Sequence, residues 1–131
     1  MENPADRRKF PRYKINIPIY VQIIIPEDTF KPKFFQGNAL NISLNGMLIS
    51  ITDMELDLYK KLLHPNRYIK VQLPDSPSDL PSQLIGKVVW MDYHVSTKPD
   101  YCNVGLYFEN LEPEAQEQIE KFINKLPKTG N

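Results

Sequence analysis

From Tyr13 to Ile25 the odd positions Ile15, Ile17, Ile19, Val21, Ile23 and Ile25 are all aliphatic, while Lys14, Asn16 and Gln22 alternate with them. Successive side chains of an extended chain point to opposite faces, so a period of two marks a long strand with one buried face. Such a strand is stable only when a layered or closed sheet covers that face. Pro18 falls on the outward set and removes one ladder donor, so the strand is expected to be interrupted there. Twelve prolines against five glycines, spread from Pro4 to Pro127, punctuate the rest of the chain too often for long helices. The prediction is a mainly β fold.

A chain of 131 residues with 41% hydrophobic content matches one domain with a single core. Its 16 basic and 16 acidic residues balance, so no net field recruits nucleic acid or anionic membrane. The balance hides an asymmetry. Arg7, Arg8, Lys9, Arg12 and Lys14 crowd the N-terminus, whereas Glu109, Glu112, Glu114, Glu117 and Glu120 gather near the other end. An anionic partner would meet the N-terminus.

Cys102 is the single cysteine and cannot form an internal disulfide, and no apolar run reaches the roughly 18 residues that span a bilayer. The opening MENPADRRKF carries charge without a following apolar stretch, unlike a signal peptide. A cytoplasmic setting is expected.

Further strands are predicted over Lys33 to Ile42, Gly46 to Ile51, Ile69 to Leu73, Leu84 to Tyr93 and Tyr101 to Phe108, with NISLNG as a turn between the second and third. Thr52 followed by Glu55 has capping-box spacing, and Leu58, Tyr59, Leu62 and Leu63 form a stripe that Pro65 ends, giving a short helix near 53–64. Pro113 suits a first helical position, and Ala115, Ile119, Phe122, Ile123 and Leu126 repeat at helical spacing. Six strands with a terminal amphipathic helix describe a small barrel capped at one end.

Two short clusters carry chemistry. Three arginines, Arg7, Arg8 and Arg12, stand within six residues just upstream of the first strand. Asn41, Ser43 and Gly46 interrupt two apolar strands, where short polar side chains can bond the local backbone and Gly46 would allow a positive φ. Alone, each has a plain structural reading, a solvated basic flank and a turn.

Together they resemble the PilZ domain family, whose signatures are an R-x-x-x-R arm and a (D/N)-x-S-x-x-G turn. Arg8 and Arg12 match the arm, with Arg7 making the double-arginine form, and Asn41, Ser43 and Gly46 match the turn. Gly86, Val88 and Trp90, the run Val104 to Phe108, and the Pro113 helix extend the resemblance over nearly the whole chain. Asp53 to Asn66 departs from it, being longer and more helical than the turn usual there.

The resemblance implies a six-stranded antiparallel PilZ-type β-barrel over 13–127, a flexible ligand-binding arm over 1–12 and a tail over 128–131. It implies a non-enzymatic receptor of the second messenger cyclic di-GMP, whose arm closes on the ligand and signals to an effector protein. Guanine O6 and N7 match an arginine fork bidentately, and guanidinium also pairs with phosphate and stacks on bases. By the same resemblance Arg8 and Arg12 take these roles, Asn41 reads a guanine edge, Ser43 holds the turn or reaches ligand oxygens, and Gly46 lets the backbone come close. Arg7 accompanies an intercalated pair of ligand molecules, hence two per chain.

His64, His94 and Cys102 lack metal-ligand spacing, and no base activates Cys102, so neither a metal nor a catalytic residue is assigned. Trp90, Tyr93, Tyr107 and Phe108 read as core or cross-strand partners rather than base-stacking groups. The competing functions are a ligand-independent interaction subunit in pilus or motility control and an RNA-binding small barrel. Complete signatures weigh against the first. Zero net charge and the acidic C-terminal helix weigh against the second, so no nucleic-acid partner is expected.

Overall fold

The computed structural model describes residues 11–25, 33–74, 80–94 and 100–126. Arg7 and Arg8, most of the N-terminal arm and the tail lie outside the described residues. The chain forms β1 (Tyr13–Ile24), β2 (Lys33–Ile42), β3 (Gly46–Thr52), α1 (Leu56–Leu62), β4 (Tyr68–Gln72), β5 (Gln83–His94), β6 (Tyr101–Tyr107) and α2 (Pro113–Lys125). The strands close into a barrel in the order β1-β2-β3-β6-β5-β4, and every neighbouring pair is antiparallel.

The alternation in the sequence becomes an inside and an outside. Ile19, Val21 and Ile23 of β1 point into the barrel beside Ile49 and Ile51 of β3, Ile69 and Val71 of β4, and Val104 and Leu106 of β6. Ile15 and Ile17 are only half-buried, so the start of β1 leans out at the rim. Closure pairs every strand with two neighbours, so no strand of the barrel is an edge along its whole length.

Pro18 does not break β1. It keeps its register opposite Asn38, and the irregularity lies upstream, between Lys14 and Ile17. Pairing of β1 with β4 begins at Tyr20, so Pro18 sits where one side of the strand has no ladder.

α1 begins later than the capping-box spacing predicts. Thr52 is taken up by the β3–β6 ladder opposite Tyr101, Asp53 turns the chain with φ 61°, and Glu55 precedes the helix without a side-chain cap. Leu58 and Leu62 are buried with Met54, and Tyr59 stacks on Tyr93 at 4.9 Å, but Leu63 is exposed because the helix has ended. The buried Arg67 fixes that end, its Nε donating to the Lys61 carbonyl at 3.0 Å.

α2 starts with Pro113 in its first turn and lays its apolar stripe on the barrel. Ile119 and Phe122 are buried, and Ile123 and Leu126 pack at the margin. Ile119 is fully enclosed, so Ile119→Ala leaves a cavity and should lower unfolding free energy by about 2–5 kcal/mol. Urea unfolding with an unchanged midpoint would show that α2 contributes little to the core.

Candidate functional site

The register of β1 against β2 brings the two sequence clusters together. Tyr13 pairs with Ile42 and Lys14 with Asn41, so Arg12, exposed just outside β1, stands at the same end as the turn that follows Ile42. Arg8 and Arg7 lie outside the described residues.

That turn is held from within. The Ser43 N–H donates to the Gly46 carbonyl at 2.9 Å. The Ser43 hydroxyl donates to Asn45 Oδ1 at 2.7 Å and accepts the Asn45 N–H at 3.3 Å. Ser43 is 2% exposed, which places it in the framework of the turn. The Asn45 carbonyl in turn accepts the Phe108 N–H at 2.9 Å, tying the turn to the end of β6.

Gly46 does not use its freedom for positive φ; no described glycine has it. A Cβ on Gly46 would run into the Leu106 backbone carbonyl, so its lack of a side chain serves the close approach of β3 to β6.

Asn41 is different. Its Oδ1 is buried and has no hydrogen-bond partner among the described residues, a state that costs about 1–3 kcal/mol relative to a satisfied group. Cross-strand pairs carry the surface onward from it: Lys14 opposite Asn41, Asn41 opposite Leu48, Leu48 opposite Gly105 and Gly105 opposite Trp90. Register shifts occur between Lys14 and Ile17, between Ala39 and Asn41, and between Val88 and Trp90, so Lys14, Asn41 and Trp90 each flank one. Bulges re-aim side chains and gather near binding sites.

Trp90 is 42% exposed, and its indole lies over Gly105 where any Cβ would collide with it. The indole with Leu48 therefore forms a flat apolar ledge beside the buried Asn41 oxygen. Sequence reasoning placed Trp90 among core or cross-strand groups and passed over Leu48 and Gly105. The adjacent apolar pair Val88 and Val89 breaks strand alternation just before Trp90, which is the trace a bulge leaves in sequence. A belt with a ledge, an unsatisfied acceptor and cations at one end suits a flat, anionic ligand with N–H donors on its edge.

Other chemistry-bearing groups lie elsewhere. Burial pushes the Cys102 thiol up to about 11, so it is protonated at neutral pH and unsuited to nucleophilic attack. Among the described residues no group of three His, Cys, Asp or Glu side chains could hold a metal ion. His94 stacks on Tyr101 and meets Asp92 at 2.9 Å, while His64 is exposed. An open depression of about 420 Å³ at the far end of β3 is lined by Asp53, Glu55, Asp100 and Tyr93. Its carboxylates would repel an anion. Burial, with Asp100 nearby, raises the Tyr93 hydroxyl, which donates to the Met54 carbonyl at 2.8 Å. No helix among the described residues is long and apolar enough to cross a membrane.

Comparison with known proteins agrees with this architecture. Among solved structures, the chain is similar to the PilZ domain with c-di-GMP of YcgR from Escherichia coli (TM-score 0.61, 15% identity, 92% of this chain and 91% of that one). It is also similar to the K. pneumonia MrkH–c-di-GMP complex (TM-score 0.62, 15% identity, 90% of this chain and 51% of that one). A third is the Borreliella burgdorferi PlzA protein in complex with c-di-GMP (TM-score 0.52, 15% identity, 97% and 57%). The chain thus spans about half the length of the latter two. No curated protein sequence matches it. The PilZ domain model matches residues 6–125, and the chain belongs to the PilZ domain family.

Proposed function

We propose that the chain is a cyclic di-GMP receptor and adaptor without catalytic activity, in which residues 1–12 form an arm that closes on the ligand and changes the surface offered to an effector protein. The observation that carries this reading is the buried, unpartnered Asn41 oxygen beside the root of an arginine-rich arm. Guanine carries an amino donor on its edge. A purine lying on Leu48 and the Trp90 indole can turn that edge toward Asn41 Oδ1 and satisfy it. Support also comes from YcgR, MrkH and PlzA, whose structures contain c-di-GMP.

In this reading Arg8 and Arg12 fork onto guanine O6 and N7 or onto phosphate, which lysine cannot do bidentately. Ser43 and Gly46 keep the turn in shape beneath them. Ordering the arm costs about 1–2 kcal/mol per residue, while each bidentate guanine contact returns about 1–3 kcal/mol. The ordering cost opposes the contact energy, so affinity should be nearer micromolar than picomolar. The messenger is then released as readily as its concentration falls.

Titration calorimetry with cyclic di-GMP, then with GTP and a short RNA, tests the assignment. Arg8→Ala or Arg12→Ala should abolish measurable binding and leave the ligand-free melting temperature nearly unchanged, because Arg12 is exposed and both residues precede the first strand of the barrel. Wild-type affinity in either variant would overturn the site.

Asn41→Ala should weaken binding by about 1–3 kcal/mol, the range for one good base contact. It also deletes the unsatisfied oxygen, so the ligand-free domain should melt at the same or a higher temperature. A fall in melting temperature with undiminished affinity would make Asn41 a structural residue.

Arg7 points to two ligand molecules per chain. Two stacked ligands bring four phosphates and extra guanine edges into one site, and a third guanidinium offsets the repulsion. Arg7→Leu should lower the calorimetric stoichiometry from two toward one while binding persists. One ligand per unmodified chain, at concentrations where the messenger dimerises, would exclude the pair.

A further inference from the structure

We propose that Lys14 is a phosphate-binding residue of the cyclic di-GMP site, a cation built into the barrel wall that holds the ligand's phosphodiester. The proposal rests on the receptor reading and adds to it a contact that neither family signature contains.

Lys14 stands directly across the ladder from Asn41, and opposed strand residues have Cα atoms about 4.5–5.5 Å apart. That is well within the reach of an extended lysine side chain. The register shift that follows Lys14 frees it from the regular alternation of β1 and lets its side chain swing along the wall rather than straight out. It is exposed, and ion pairs such as Lys87 with Glu109, Lys121 with Glu117 and His94 with Asp92 do not involve it. No acidic residue occupies the belt from Lys14 through Asn41, Leu48 and Gly105 to Trp90.

The belt itself dictates what meets Lys14. A base on the ledge of Leu48 and Trp90, with its amino edge on Asn41, carries its sugar and phosphate past the ends of the ledge. At one end is the uncharged indole. At the other end is Lys14, with Arg12 two residues before it.

Lysine and arginine then divide the ligand by chemistry. An ammonium is a compact point charge suited to a phosphate oxygen, and the arginine forks are left for planar guanine edges. Position divides them too. Lys14 is already held in the ladder by its pairing with Asn41 and loses only side-chain freedom on binding. A fixed positive charge at the mouth also raises the encounter rate with an anion, an effect that weakens with salt.

The test is calorimetry with cyclic di-GMP at low and at physiological ionic strength on the unmodified chain, Lys14→Gln, Lys14→Arg and Lys60→Gln. Lys60 lies exposed on α1, past the far end of β3 from the turn, and its replacement removes the same charge at a distance. One charge-assisted contact, discounted for exposure, predicts about tenfold weaker binding by Lys14→Gln at low salt. The difference should shrink as salt rises, Lys14→Arg should keep most of the affinity, and Lys60→Gln should bind as the unmodified chain does. Equal losses in the two glutamine variants would show a general charge effect and overturn the proposal. So would unchanged binding by Lys14→Gln, or a loss that salt does not reduce. If the unmodified chain fails to bind cyclic di-GMP at all, the receptor reading fails, and this proposal with it. That result is distinct from binding that is insensitive to Lys14.

Discussion

β1 pairs with β2 on one side and, from Tyr20 onward, with β4 on the other, and this double pairing is what closes the barrel. Closure fixes where every side chain of the wall points, because a slip of one residue in any ladder would turn buried Ile and Val outward. The register is therefore held by the whole core. The same register sets Lys14 against Asn41 and brings the end of the arm to the Asn41–Gly46 turn. The site is thus positioned by residues such as Val21, Ile49 and Val104, whose side chains are buried in the core on the other face of the wall.

The wall departs from regularity where the site needs it. Bulges flank Lys14, Asn41 and Trp90, and Gly46 and Gly105 let backbone and indole come closer than a Cβ permits. An unpaired buried oxygen and a half-exposed tryptophan are unfavourable in the ligand-free domain. A wall built for stability alone would have neither. They concentrate on one belt, whereas the polar groups of the neighbouring turn are internally satisfied through Ser43 and Asn45.

Most of the fold was legible because strand alternation is a local signal that the core then enforces. The six strands, α1 near 53–64 and the C-terminal helix stand where the apolar pattern predicts them. What was not legible depended on long-range pairing. Thr52 looked like a helix cap, but the ladder partner Tyr101 claims it. Pro18 looked like a break, but β4 stops short of it. Gly46 suggested positive φ, yet its constraint is the Leu106 carbonyl of a strand sixty residues later in the chain, about which local sequence says nothing. The site was half legible for the same reason. Asn41, Ser43 and Gly46 share a short turn, while Lys14, Leu48, Gly105 and Trp90 become neighbours only through register.

A division of labour follows from which groups belong to the barrel wall. The belt is part of the barrel and can offer a ledge, one acceptor and one cation without rearrangement. It cannot enclose a ligand with two phosphates and two guanines, since a convex wall touches only one side of it. In the proposed receptor the remaining contacts would come from the residues that precede β1, and Arg12, exposed at the foot of β1, is where they join the wall. In the proposed receptor, selectivity for guanine would reside in Asn41 and the arginine forks, because each matches a particular edge, while the ledge and Lys14 would accept any base and any phosphate. A wall that attracts broadly and an arm that reads the edges separate capture from recognition, which keeps binding reversible without making it indiscriminate.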